Sequence, residues 1–146
     1  MLNKRVATLI FFLCLALPAS GQQDVEQQKI AYLIASIADL KDATFIRNGE
    51  SYDAARAAEH LRVKLLYAGD RVKTAEDFIA YCATRSSTSG TKYRIKFSDG
   101  RTIDSATFLH GKLAEYEARD AVVRKTSLAS DRTPLSQSDS TSKRKP

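Results

Sequence analysis

Apolar residues recur at intervals of three and four over residues 22–40. Ile30, Leu33, Ile34, Ile37 and Leu40 fall on one face, and that spacing predicts an amphipathic helix. Asp24 and Glu26 lie in its first turn, where the helix dipole favours anions. A short apolar step, Thr44-Phe45-Ile46, precedes Asn48-Gly49, a turn signal because both residue types tolerate positive φ. Ser51 then reads as the N-cap of a second helix over residues 52–67, with Ala54, Ala58, Leu61 and Leu65 inward and Gly69 at its end. Thr74-Ala75-Glu76-Asp77 is a loose capping box, with Asp where Glu or Gln is preferred. It opens a third helix to about Thr84, whose inner face is Ala75, Phe78, Ile79 and Cys82.

Beyond a Ser/Thr/Gly-rich loop at residues 85–91 the period changes to two. Tyr93, Ile95 and Phe97 alternate with Arg94, Lys96 and Ser98, a half-buried strand. Ser98-Asp99-Gly100-Arg101 is a hairpin turn, and residues 101–103 return as the partner strand. Ser105 caps a last helix in which Phe108, Leu109, Leu113 and Tyr116 share a face. The expected fold is α+β and mainly α, about four helices packed with one small β-hairpin. After about Arg124 the periodicity stops. Residues 124–146 bury too little apolar area to offset ordering entropy and are expected to form a disordered basic tail.

The N-terminus changes the setting. Lys4 and Arg5 precede an apolar run from Val6 to Leu17, then Leu17-Pro18-Ala19-Ser20-Gly21. Charged, apolar and small-residue segments in that order predict a cleaved secretory signal peptide over residues 1–21. The run falls short of the roughly 20 apolar residues a membrane helix needs. Cleavage leaves about 125 residues, one domain over residues 22–123 with its tail, and an exported, periplasmic location. It also removes Cys14. Cys82 is then the sole thiol, so no internal disulfide can form, and its apolar neighbours at helical spacing predict burial.

Charge takes a different meaning in that light. The chain carries +6. Lys4 and Arg5 supply two. From residue 121 onward, six cations against Asp131 and Asp139 supply four. Residues 22–120 therefore balance fifteen cations against fifteen acids. No basic patch remains to suggest nucleic acid. The tail suits at most weak, salt-sensitive contact with an anionic surface.

Templates for catalysis fail. There is no His-Glu-x-x-His, no cysteine pair and no EF-hand loop, so no metal or other cofactor is expected. His60 and His110 have no carboxylate or cysteine at ligand spacing and read as surface or boundary residues. Ser89-Gly90-Thr91-Lys92 spells Ser-x-x-Lys, but Gly90 and a following strand replace the helix which that motif opens. One constellation remains. Ser86, Ser87, Ser89, Gly90 and Tyr93 lie within the loop at residues 85–93, where hydroxyls and backbone amides near Gly90 can bind an anion or a sugar. The same residue types also cap helices and shape turns.

Phe45-Ile46-Arg47-Asn48-Gly49 with Tyr52, Ala58-Glu59-His60-Leu61 with Lys64, Thr74 through Ile79, Ser86 through Gly90 with Tyr93, and Asp99-Gly100 follow one another in order. Together they resemble a family of small exported bacterial proteins, domain of unknown function 5329, over residues 27–113. The resemblance implies a periplasmic setting in Gram-negative bacteria and no activity, cofactor or site. Ser89-Gly90-Thr91-Lys92-Tyr93 is also similar to the Ser-Gly-x-x-Tyr loop of periplasmic lysozyme inhibitors, whose hydroxyls meet catalytic carboxylates. Those inhibitors are mostly β-structures, and their second Thr-Lys-Gly motif has no counterpart here. The leading expectation is a non-enzymatic binding or interaction domain of the cell envelope, with an envelope protein or glycan as partner. A hydrolase or transferase acting on envelope material, built on the loop with His60 and Cys82, is the alternative.

Overall fold

The computed structural model describes residues 20–130; residues 1–19, which hold all but the last two positions of the expected signal peptide, and residues 131–146, which hold most of the expected tail, lie outside the described residues. Helix α1 (Ser20–Ala38) leads into strands β1 (Thr44–Arg47) and β2 (Glu50–Tyr52), followed by helix α2 (Ala54–Ala68). A 3₁₀ turn (Gly69–Arg71) precedes helix α3 (Ala75–Phe78), which continues as a π-helical segment (Ile79–Ala83). Strands β3 (Arg94–Lys96) and β4 (Thr102–Asp104) and helix α4 (Ser105–Ser130) complete the chain. The arrangement is α+β and mainly α.

The sheet differs from the single hairpin expected. It has four antiparallel strands in the order β2-β1-β3-β4, so two hairpins join through β1 and β3, with Phe45 opposite Ile95. The first hairpin turns at Asn48 and Gly49, whose φ values of 54° and 84° are the pair of positive angles that a two-residue type I′ turn demands. Glu50, Ser51 and Tyr52 therefore pair with β1 instead of starting a helix. The cap of α2 is Asp53, not Ser51. Its carboxylate accepts the Arg56 amide at 2.8 Å, satisfying one of the free donors of the first turn. Ser51 already belongs to a strand ladder and cannot take the cap geometry.

Other local signals fold as written. Thr74 and Asp77 form the reciprocal capping box in spite of the shorter acid. The Thr84 hydroxyl donates to the Ile79 carbonyl at 2.7 Å and closes the wide π turn. Along β3, Tyr93 and Ile95 are buried and Phe97 half-buried, alternating with exposed Arg94, Lys96 and Ser98.

Ile30, Leu33, Ile34 and Ile37 bury the inner face of α1 against α2, α3 and α4. Phe78, Ile79 and Cys82 lie fully inside, with Leu109 and Leu113 of α4 and Ile95 of the sheet. Glu26 is the one carboxylate buried there among the described residues. The last helix runs to Ser130, beyond Arg124 where irregular chain is expected. Residues 121–130 are all exposed, so no packing dictates this stretch. An Arg124–Asp120 pair at 2.7 Å supports it, and extending a formed helix is easy compared with nucleating one.

Candidate functional site

Tyr93 is the best-anchored residue of the loop region. Its amide donates to the Thr84 carbonyl at 3.0 Å, and its own carbonyl accepts the Ser105 amide at 2.9 Å. Both backbone groups are thus fixed by neighbouring elements, and the ring is held at 7% exposure. The Lys64 ammonium stands 4.9 Å from the ring centroid, a cation–π distance. It also donates to the Arg85 carbonyl at 2.8 Å and to the Tyr93 hydroxyl at 3.4 Å.

His60, on the same face of α2 one turn earlier, meets the other side of that hydroxyl. Its Nε2 is 3.3 Å from Tyr93 Oη and its Nδ1 is 3.4 Å from Arg47 Nη1. A guanidinium only donates, so Nδ1 must accept and Nε2 must carry the proton that Tyr93 receives. The geometry calls for neutral imidazole. Burial, and then the charges of Arg47 and Lys64, hold the His60 pKa below its usual 6.5. Burial likewise lowers the Lys64 pKa, with smaller and opposed influences from Cys82 and Arg47. It raises the Tyr93 phenol against the opposing pull of Arg47. The result is a chain Arg47–His60–Tyr93–Lys64 joining β1, α2 and the start of β3, with no carboxylate in it.

Arg47, His60 and Tyr93 of this chain border a cavity of about 230 Å³ between α2 and the sheet. Ile37, Phe45, Ile46, Ala57 and Leu61 give it an apolar floor. Arg47, Arg56, Arg94, His60, Tyr52 and Tyr93 supply most of the polar lining, and no Asp or Glu lines it. Arg94 reaches Asp104 at 4.0 Å. Arg47 has no carboxylate partner among the described residues, and its Nε–H is buried without a hydrogen-bond acceptor there.

The serine loop is mostly occupied with itself. Ser86 is 2% exposed. Its backbone pairs with Thr91 and Gly90 at 2.9 Å each, and its hydroxyl lies 3.4 Å from the amides of Thr88 and Ser89 and from the Asn48 side-chain amide. Ser89 donates to Asn48 at 2.6 Å and accepts the Thr91 amide at 3.2 Å. Gly90 supplies the positive φ of 72° that closes the loop. Ser87 is exposed. The loop is stapled to the β1–β2 turn, and of the five residues singled out in the sequence only Tyr93 lines the cavity.

Neither ring nitrogen of His60 has a Ser, Thr or Cys partner among the described residues; both are taken by Arg47 and Tyr93. Cys82 is buried and burial raises its pKa, which keeps the thiol protonated. Lys92 of the Ser-x-x-Lys string turns to Asp104 at 2.7 Å. His110 pairs with Glu76 on the surface. Among the described residues no three His, Cys, Asp or Glu side chains gather as metal ligands, and no helix is long and apolar enough to cross a membrane.

A family model described as "Family of unknown function (DUF5329)" matches residues 24–117. The chain belongs to that family. It is also similar to the "Uncharacterized protein YfeK" of Salmonella typhimurium, 36% identical over 91 residues that cover 62% of this chain and 76% of the relative. No solved structure matches it. The matched segment contains every residue that lines the cavity. Arg56 and Arg94 carry no local motif, and Arg47 figures only in the string that resembles the family. The approach of Arg47 and Arg94 depends on the β1–β3 pairing, which the sequence pattern does not reveal.

Proposed function

We propose that the protein is a non-catalytic binding domain of the bacterial cell envelope, exported by its N-terminal leader to the periplasm, and that its contact site is the cavity between α2 and the sheet. One observation carries this reading: an apolar floor beneath a lining with three arginines and no acid. A pocket of that kind, mainly apolar with a few convergent polar groups, is the usual form of a small-molecule site. The loop from residue 85 to 92 serves it indirectly, by setting the position of Tyr93. The groups around His60 suit binding better than turnover, because Nε2 donates to Tyr93 and so takes no proton from it, and no Ser, Thr or Cys side chain bonds the imidazole among the described residues.

Ligand-observed NMR with a mixed panel of anionic, cationic and neutral fragments tests the site. Wild-type protein is compared with Ala57→Leu, in which a larger side chain fills part of the cavity. Fragments that bind the wild type and lose at least half of their signal with the variant support the reading. Binding that is indifferent to Ala57→Leu, or no binding by any fragment, overturns it. Cell fractionation tests the location: a shortened chain released with the periplasmic contents is expected, and a full-length cytoplasmic chain contradicts it.

A further inference from the structure

The cavity's lining specifies a kind of ligand. We infer that it takes a small free amphipathic carboxylate, its apolar body on Phe45, Ile46 and Leu61 and its carboxylate on Arg47. This inference rests on the cavity being the binding site.

Arg47 is the first reason. Arg47 is half-buried, and a guanidinium partly withdrawn from water is costly unless an anion and hydrogen-bond acceptors compensate it. Here its neighbours within the chain are other bases: His60 at 3.4 Å through Nδ1, and Lys64 beyond Tyr93. Its buried Nε–H has no acceptor among the described residues. The planar fork of arginine matches a carboxylate in bidentate fashion, with two parallel N–H···O bonds. The lining contributes no acid of its own to compete.

The floor is the second reason. Five apolar residues from α1, β1 and α2 line the cavity together with the polar ones. A bare inorganic anion would leave that surface without a partner. A wholly apolar molecule would leave Arg47 without one. Size is the third. A dry apolar cavity of about 150 Å³ holds benzene, so about 230 Å³ accommodates a ring or short branched chain together with a carboxylate. Tyr52 and Tyr93 also line the cavity, and their hydroxyl groups are further donors for a carboxylate.

Isothermal titration of the wild-type protein with phenylacetate, 2-phenylethanol and inorganic phosphate separates the possibilities. Phenylacetate is expected to bind saturably, with the neutral alcohol weaker by about tenfold or more, the scale of one charge-assisted bond, and phosphate weaker by about tenfold or more because it leaves the apolar lining uncovered. Arg47→Met is expected to remove that preference, and Arg47→Lys to restore part of it, because charge returns without the fork. Amide spectra of both variants establish that they are folded. The wild-type comparison alone keeps the inference falsifiable if either variant fails to fold. Equal affinity for phenylacetate and 2-phenylethanol overturns the carboxylate assignment and leaves the cavity as a binding site. Tighter binding of phosphate than of phenylacetate also overturns it. No binding of phenylacetate overturns it as well, and fragments sensitive to Ala57→Leu then show whether the cavity reading survives.

Discussion

Glu26 accepts the Ala75 amide at 2.8 Å through one oxygen and the Lys29 ammonium at 2.8 Å through the other. It thereby ties α1 to the first residue of α3. Burial alone would raise its pKa, but Lys29 and the Ala75 amide outweigh burial and bring it below the usual 4.5. A carboxylate with a depressed folded pKa contributes stability above its unfolded pKa and loses it as pH falls through the folded value. Glu26→Ala leaves a buried amide unpaired and is expected to cost about 2 kcal/mol; urea denaturation at neutral pH measures it. His60 acts over a higher pH range. Its folded pKa is lowered from 6.5, so the unfolded chain takes up a proton first and stability declines as pH drops below that value. The facing groups are Arg47 from β1 and Lys64 from α2, whose charges oppose imidazolium, and Tyr93 beside β3, which is uncharged and accepts from Nε2 in either state. Thermal unfolding between about pH 7 and about pH 5 should show this decline, and His60→Gln should flatten it.

At the scale of elements, the two candidate caps of α2 make a sharp comparison. Asp53→Ala removes the acceptor of the Arg56 amide and is expected to cost about 1 kcal/mol. Ser51→Ala, on an exposed strand position, is expected to change stability by less than about 0.5 kcal/mol. Equal costs at both positions would contradict the hairpin boundary. The helices were legible because Ile30, Leu33, Ile34 and Ile37 repeat with the helical period and Thr74 and Asp77 spell a cap. Strand β3 was legible from its alternation. Strand β2 was not: Glu50-Ser51-Tyr52 has little apolar content, and its pairing is made by backbone bonds to β1. The outer part of α4 was hidden for the opposite reason. No face of residues 121–130 is buried, so no hydrophobic period marks it.

On the scale of the whole molecule, the cavity draws on six elements and stretches from Ile37 to Ser105 in sequence. The charge count of residues 22–120 is balanced, and that balance conceals a local concentration of arginines. Of the sequence's candidate residues, Tyr93 lines the cavity, while Ser86 and Ser89 hold the loop against Asn48. Ser89→Ala should therefore leave phenylacetate affinity within about twofold, because that hydroxyl bonds Asn48 and lies outside the lining; titration of the variant checks this. An amide chemical-shift map of the wild-type protein titrated with phenylacetate locates the contact surface directly. Saturable shifts centred on Phe45, Ile46, Arg47, Ala57 and Leu61 are expected. Shifts confined to Ser87, Thr88, Ser89 and Gly90, or no saturable shifts at all, would contradict the cavity as the binding site.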